Sequence, residues 1–117
     1  MQKNTEGRKK DMKIFYVTDD SYSEEIENFD GTVLIDFFAD WCAPCKMLSP
    51  IIEDVAEDVS DKVKVCKVNV ESETALAQKF GIMTIPTLVV MENGCIKNRS
   101  VGVTGKRAIM DMLEQKR

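Results

Sequence analysis

The sequence predicts an α/β protein with a central mixed β-sheet and helices on both faces of the sheet. Short apolar or β-branched segments, which are typical of strands, alternate with segments of helical periodicity in the order β-α-β-α-β-α-β-β-α. The alternation in the first half implies parallel strands joined by right-handed crossovers. Only a tight turn separates the last two strands, so these two must be antiparallel.

The length and composition of the chain fit a single domain. A chain of 117 residues with 44% hydrophobic residues can form one core, and we predict that this domain spans residues 13–117. Residues 1–12 are mostly polar or charged and lack periodicity, which is typical of a disordered leader. A basic arm that docks a partner is the alternative interpretation of this segment.

Charge and cysteine content argue against several classes of protein. A net charge of −4 and a pI of about 4.9 leave no large basic face for nucleic acid or an anionic membrane. The apolar runs are much shorter than the ~20 residues of a membrane span, and residues 1–12 contain no apolar signal segment. Four cysteines are too few for a disulfide-built secreted scaffold. We therefore expect a soluble protein in a reducing compartment, the cytoplasm. We also expect the protein to be a monomer.

The first strand is predicted at Ile14–Val17, where apolar and aromatic residues follow one another. Ser21 and Glu24 then fit a capping box, in which both side chains satisfy N–H groups at a helix start. Gly31 ends this segment. The apolar face of the helix is expected to contain Tyr22, Ile26 and Phe29.

The second strand, Val33–Phe38, is apolar on both faces except at Asp36, as expected for a central strand covered on both sides. The helix after it is predicted to run to about Asp58. Pro50 predicts a kink in this helix, because proline removes one helical hydrogen bond. The apolar stripe of the helix comprises Met47, Leu48, Ile51, Ile52, Val55 and Val59.

The second half of the chain completes the sheet. Val63–Val70 is rich in β-branched residues and is predicted to be another central strand. A short helix carrying Leu76 and Phe80 ends at Gly81, and Asn93-Gly94 between two apolar runs predicts a two-residue hairpin turn. The strands of the hairpin are predicted at Thr87–Met91 and Cys95–Val101. The apolar stripe of the last helix comprises Ala108, Ile109, Met112 and Leu113.

Cys42 and Cys45 lie where a strand is followed by a helix. The first turn of a helix has unpaired N–H groups and the positive end of the helix dipole, and both stabilise a thiolate. Such a pair in an intracellular protein indicates thiol–disulfide chemistry. Structural zinc is the alternative, but it needs four ligands, and the chain has no histidine and only Cys66 and Cys95 besides the pair. We expect Cys66 to be buried and Cys95 to be exposed.

Three further residues near the pair each allow two interpretations. Burial raises the pKa of a carboxyl, so Asp36 is either a base near neutral pH or an aspartate at a wet strand end. Lys67 is either paired with Asp36 or a strand-edge lysine in water. Trp41 is either a core aromatic or a surface that partly covers Cys42.

These motifs, in this order, resemble those of the thioredoxin family over nearly the whole chain from about Ile14. The resemblance implies a thioredoxin fold and a general protein-disulfide reductase that acts on disulfide-containing client proteins and is recharged by a thioredoxin reductase. It implies no cofactor besides the redox-active cysteine pair. The segments that carry the resemblance are Asp36-Phe37-Phe38-Ala39-Asp40-Trp41-Cys42-Ala43-Pro44-Cys45-Lys46, Ile85-Pro86-Thr87, Asn93-Gly94 and Val101-Gly102.

The resemblance also implies roles for individual residues. Cys42 would be the exposed attacking thiol and Cys45 the resolving thiol. Asp36 would transfer protons, with Lys67 near it. Pro86, which by itself fits an ordinary trans residue before a strand, would follow a cis peptide bond and face the pair. The residues expected to line a substrate groove are Trp41, Ile85, Pro86 and Gly102.

The chain departs from the commonest family pattern beside the cysteines. Ala43 stands where most members have glycine, and Phe38 where many have tryptophan. We expect Ala43 to shift the redox poise modestly and Pro44 to keep the pair close to the reductant type. The alternative function is a non-catalytic or metal-binding interaction module that uses the same groove without turnover.

Overall fold

A computed structural model describes residues 13–114, so the predicted leader at residues 1–12 lies outside the described part of the chain. The described residues form one mixed sheet with helices on both faces, as the sequence predicts. The strands are β1 (Ile14–Tyr16), β2 (Thr32–Phe38), β3 (Val63–Asn69), β4 (Thr87–Glu92) and β5 (Cys95–Val101). The helices are a π-helical segment (Ser23–Glu27), α1 (Ala43–Asp58), α2 (Thr74–Lys79) and α3 (Lys106–Glu114).

The strand order in the sheet is β1-β3-β2-β4-β5, which places β2 in the centre. β3 is parallel to both β1 and β2, while β4 is antiparallel to β2 and to β5. The mixture of parallel crossovers and a final antiparallel hairpin is therefore confirmed. In this register Asp36 on β2 lies opposite Lys67 on β3 and Leu88 on β4.

Alternation along β2 divides the core into two layers. Val33, Ile35 and Phe37 pack with the π-helical segment and α2, whereas Leu34 packs with α1 and α3. Because side chains alternate with a period of two along a strand, Asp36 is on the same face as Leu34, under α1. The buried partners of Leu34 are Leu48, Ile52, Val55, Ala56, Val65, Leu88, Val90 and Ile109.

The β4–β5 hairpin has the predicted two-residue turn. Glu92 pairs with Cys95, and the residues between them, Asn93 and Gly94, have φ values of 51° and 84°. Two consecutive positive φ angles are the requirement of a type I′ turn, which Asn-Gly adopts readily. The pairing is irregular between Val90 and Met91, where a bulge shifts the register.

Three local predictions were wrong. The capping box does not form: Ser21 Oγ accepts a hydrogen bond from the Thr18 amide at 2.9 Å, and the segment that follows is π-helical. Met47 is 65% exposed because it lies beside the buried stripe of α1. Ala108 is exposed because the face of α3 that meets the core comprises Ile109, Met110, Met112 and Leu113.

The helix α1 ends at Asp58, as predicted, and Pro50 lies inside it. The kink at Pro50 stays a prediction. None of the helices in the described range 13–114 is long and apolar enough to cross a membrane.

Candidate active site

The start of α1 is fixed by two residues of the cysteine motif, Cys42 and Pro44. Cys42 is the N-cap with extended backbone angles, and its Sγ accepts a hydrogen bond from the Cys45 amide at 3.2 Å. Pro44 lies in the first turn, where a missing N–H costs nothing and the fixed φ favours the helix. The sulfur of Cys42 thus occupies the position at which a helix start stabilises negative charge.

Cys42 and Cys45 form a disulfide, with their Cα atoms 5.2 Å apart. Both residues are covered, with exposed fractions of 3% and 4%, so the exposed Cys42 implied by the resemblance is not seen in the disulfide state. They pack with Ala39 and, at the edge of this cluster, with Phe38, Val70 and Ile85.

The loop before β4 lies against the disulfide. The Ile85–Pro86 peptide bond is cis, as the resemblance implied. The carbonyl oxygen of Ile85 lies 4.0 Å from Cys42 Sγ, and the Pro86 carbonyl accepts a hydrogen bond from the Gly102 amide at 2.8 Å. Gly102 has a φ of 93°, a conformation that glycine adopts without strain. Three of the predicted groove residues therefore form one continuous backbone rim.

Trp41 belongs to the surface rather than the core. The residue is 65% exposed, and its indole N–H donates a hydrogen bond to Glu71 Oε2 at 2.6 Å. Met83, close in sequence to the cis-proline, is 92% exposed. Neither Glu71 nor Met83 was identified from the sequence. The available signal for Glu71 was its position two residues past the carboxyl end of a central strand, where polar groups meet the site.

Asp36 is fully buried in the centre of the sheet. Among residues 13–114, neither carboxylate oxygen has a hydrogen-bond partner. The nearest cation is Lys67, whose Nζ lies 3.8 Å from Asp36 Oδ2. Burial raises the pKa of Asp36 from 3.8 to about 6, and the charge of Lys67 partly opposes this rise. The carboxyl can therefore change its protonation near neutral pH.

Lys67 is itself buried, with 6% exposure, and is held by side chains of α1 and β2. Its ammonium donates a hydrogen bond to Ser49 Oγ at 3.1 Å and lies 5.0 Å from the centre of the Phe38 ring. A cavity of about 130 Å³ adjoins these groups and reaches Cys45; its lining comprises Phe38, Ala39, Asp40, Cys45, Lys46, Ser49 and Lys67. Ser49 was not identified from the sequence, because nothing in its local pattern distinguishes it from other helical serines.

The remaining cysteines behave as predicted. Cys66 is fully buried in the layer on the opposite face of the sheet from α1, and burial raises the pKa of its thiol to about 12. Cys95 is exposed at the start of β5. No group of three or more histidine, cysteine, aspartate or glutamate residues that could hold a metal ion occurs within the part of the chain that the structure describes.

The fold and the site together define a thiol–disulfide oxidoreductase: a cysteine pair closes a disulfide at the start of a helix, beyond the carboxyl end of a central strand. The family model described as Thioredoxin matches residues 13–115. Relatives named "Thioredoxin" include those of Rickettsia bellii (strain RML369-C), 42% identical over 83% of this chain and 92% of the relative, and Bacillus subtilis (strain 168), 39% identical over 89% and 98%. A third, from Pseudomonas aeruginosa, is 38% identical over 86% and 94%.

The chain therefore belongs to the thioredoxin family, whose members are disulfide oxidoreductases that work through a redox-active cysteine pair. Dithiol–disulfide exchange with disulfide-containing substrates is the activity that this membership carries.

Proposed function

We propose that this protein is a monomeric cytoplasmic protein-disulfide reductase in which Cys42 attacks the client disulfide and Cys45 resolves the intermediate. A thioredoxin reductase returns the pair to the dithiol, and no metal or organic cofactor takes part. The observation that carries the proposal is the Cys42–Cys45 disulfide at the start of α1, with the Cys45 amide directed at Cys42 Sγ.

The reaction proceeds in two exchanges. The Cys42 thiolate attacks one sulfur of the client disulfide, a mixed disulfide forms, and the second client sulfur leaves as a thiolate that takes a proton. The Cys45 thiolate then attacks Cys42 Sγ, the Cys42–Cys45 bond forms, and the first client sulfur leaves as a thiolate. The two electrons that reduce the client come from the two thiols of the pair. Only the thiolate is nucleophilic, so the field at the helix start favours the first step.

The second step needs a base for the Cys45 proton, and we assign this role to Asp36. Its raised pKa of about 6 keeps its proton affinity close to that required near neutral pH. The charge of Lys67 lowers the pKa of Asp36, so the carboxyl can lose its proton near neutral pH. Cys45 and Lys67 line one cavity, and the Lys67 ammonium lies 3.8 Å from Asp36 Oδ2, which supports proton transfer between the pair and this carboxyl.

The client chain is proposed to bind along the rim beside Cys42. Trp41 supplies an exposed aromatic surface, and the backbone of Ile85 next to Pro86 supplies polar groups for an extended chain. Gly102, hydrogen-bonded to the Pro86 carbonyl, leaves the rim free of a side chain. Ala43 and Pro44 lie between the two cysteines in the sequence and are proposed to tune the redox potential of the pair.

Reduction of insulin disulfides by dithiothreitol, followed as turbidity, tests this function. The wild-type protein is expected to accelerate precipitation, and Cys42→Ser is expected to abolish the acceleration because the attacking sulfur is missing. Cys95→Ser is the matched control, since this exposed thiol lies in β5 outside the pair, and it is expected to retain wild-type activity. Full activity in Cys42→Ser would overturn the proposal.

A further inference from the structure

We propose that Ser49 is a positioning residue, which holds the Lys67 ammonium at the wall of the cavity and beyond hydrogen-bond reach of Asp36. Ser49 lies in α1 four residues after Cys45, so the two side chains lie on the same face of the helix one turn apart. The inference rests on the proposed function, because Asp36 is given its role there. It adds a residue to which no part of the reaction has so far been assigned.

The contacts of the ammonium support this assignment. Lys67 Nζ lies 3.1 Å from Ser49 Oγ but 3.8 Å from Asp36 Oδ2, so the hydroxyl and not the carboxylate receives the hydrogen bond. The ammonium also faces two aromatic rings, with the Phe38 centre at 5.0 Å and the Tyr16 centre at 6.0 Å. Cation–π attraction to these rings adds to the Ser49 hydrogen bond in holding the ammonium where it lies.

The consequence for Asp36 follows from its other surroundings. Both carboxylate oxygens are without a hydrogen-bond partner among the described residues, so the distance to Lys67 determines how far the carboxylate is stabilised. A closer ammonium would favour the charged form and lower its pKa. Ser49 therefore keeps Asp36 a stronger base than a hydrogen-bonded pair would allow.

The titratable and charged groups around this cavity come from several neighbouring elements. Tyr16 is on β1, Lys67 on β3, Lys46 on α1, and Asp40 in the turn after β2, while Cys45 is bonded to Cys42 and does not titrate in this form. Among them Lys67 is the group whose charge shifts the pKa of Asp36, and it shifts it downward. A change at Ser49 that moves the Lys67 ammonium is therefore expected to change the pKa of Asp36.

Titration of the Asp36 carboxyl carbon by NMR in the disulfide form tests the inference. In Ser49→Ala the ammonium loses its hydroxyl acceptor, and closing the pair from 3.8 Å to about 2.8 Å at an effective dielectric of ~20 lowers the pKa of Asp36 by roughly one unit. Ser49→Thr keeps a hydroxyl and is expected to titrate like the wild type. Asp36→Asn identifies the resonance.

Ser60→Ala is the matched control, because this exposed serine lies just beyond the other end of α1. It is expected to leave the Asp36 titration unchanged. An unchanged or raised pKa of Asp36 in Ser49→Ala would overturn the inference, as would a shift of the same size in Ser60→Ala.

A kinetic measurement adds the link to function. The pH profile for resolution of the mixed disulfide is expected to move to lower pH in Ser49→Ala by the same amount as the Asp36 titration, and an unmoved profile counts against the inference. Failure of the proposed function is distinguishable: it would appear as insulin reduction by Cys42→Ser, whereas the NMR titration of Asp36 requires no turnover.

Discussion

Replacing Asp36 by asparagine is expected to stabilise the protein at neutral pH and to have a smaller effect in acid. Asp36 is buried with a pKa of about 6 in the folded protein, against 3.8 for an ordinary aspartate. Between these two values the folded state binds more protons than the unfolded state, so the free energy of unfolding falls as pH rises through this window. A difference of roughly two pKa units corresponds to about 3 kcal/mol lost by the wild type above pH 6.

Asparagine does not titrate, so Asp36→Asn is expected to escape this loss. Urea unfolding at a series of pH values from about 4 to about 7.5 tests this. The quantity to compare is the free energy of unfolding of the variant minus that of the wild type. We expect that difference to grow by about 2.4 kcal/mol across the range, with most of the change below pH 6. Asp111→Asn, at an exposed position of α3, is the control for the change of carboxyl to amide. A difference that does not vary with pH would refute the burial argument.

Three further results are expected. In the folded disulfide form, a thiol reagent such as Ellman's reagent is expected to modify Cys95 rapidly and Cys66 only after unfolding, since Cys66 is buried with a pKa of about 12; rapid modification of both would contradict the structure. Phe37→Ala is expected to lower the free energy of unfolding by about 3–5 kcal/mol in urea titrations, because Phe37 is fully buried. Gly31→Ala is expected to lower the melting temperature, because its Cβ would lie 2.6 Å from the Lys62 carbonyl oxygen at a φ of 145°; an unchanged value would contradict this.

The sequence was sufficient for the elements that position the cysteines. The apolar run of β2 and the helical periodicity of α1 each extend over several residues, and the burial of these elements in the structure agrees with the two patterns. Asn93-Gly94 specified its own turn, because both residues tolerate positive φ. In these cases the decisive interactions are local or depend only on which face is apolar.

The predictions that failed concern either competition between local hydrogen-bond partners or the packing of a helix on the sheet. Ser21 and Glu24 matched a capping box, but the Ser21 hydroxyl accepts from Thr18 instead, and a short polar side chain offers several such local alternatives. Ala108 was assigned to the buried stripe on periodicity alone, although the position of α3 on the sheet selects Met110. Such choices depend on packing that a local pattern does not contain.

The site residues that were not identified depend on contacts between distant parts of the chain. Ser49 contacts Lys67, which is 18 residues away in the sequence, and Glu71 contacts Trp41, which is 30 residues away. Neither serine nor glutamate is unusual where it stands in the sequence. Only the packing of α1 over the sheet and the close approach of the two loops give these side chains their partners.

Trapping the mixed disulfide tests the central claim most directly. A Cys45→Ser variant, incubated with a disulfide-bonded peptide and analysed by mass spectrometry after proteolysis, is expected to carry one peptide attached to Cys42, because the resolving sulfur has been removed. Cys42→Ser under the same conditions is expected to carry no adduct at Cys45. An adduct at Cys45 in Cys42→Ser, or none at Cys42 in Cys45→Ser, would contradict the assignment of Cys42 as the attacking sulfur.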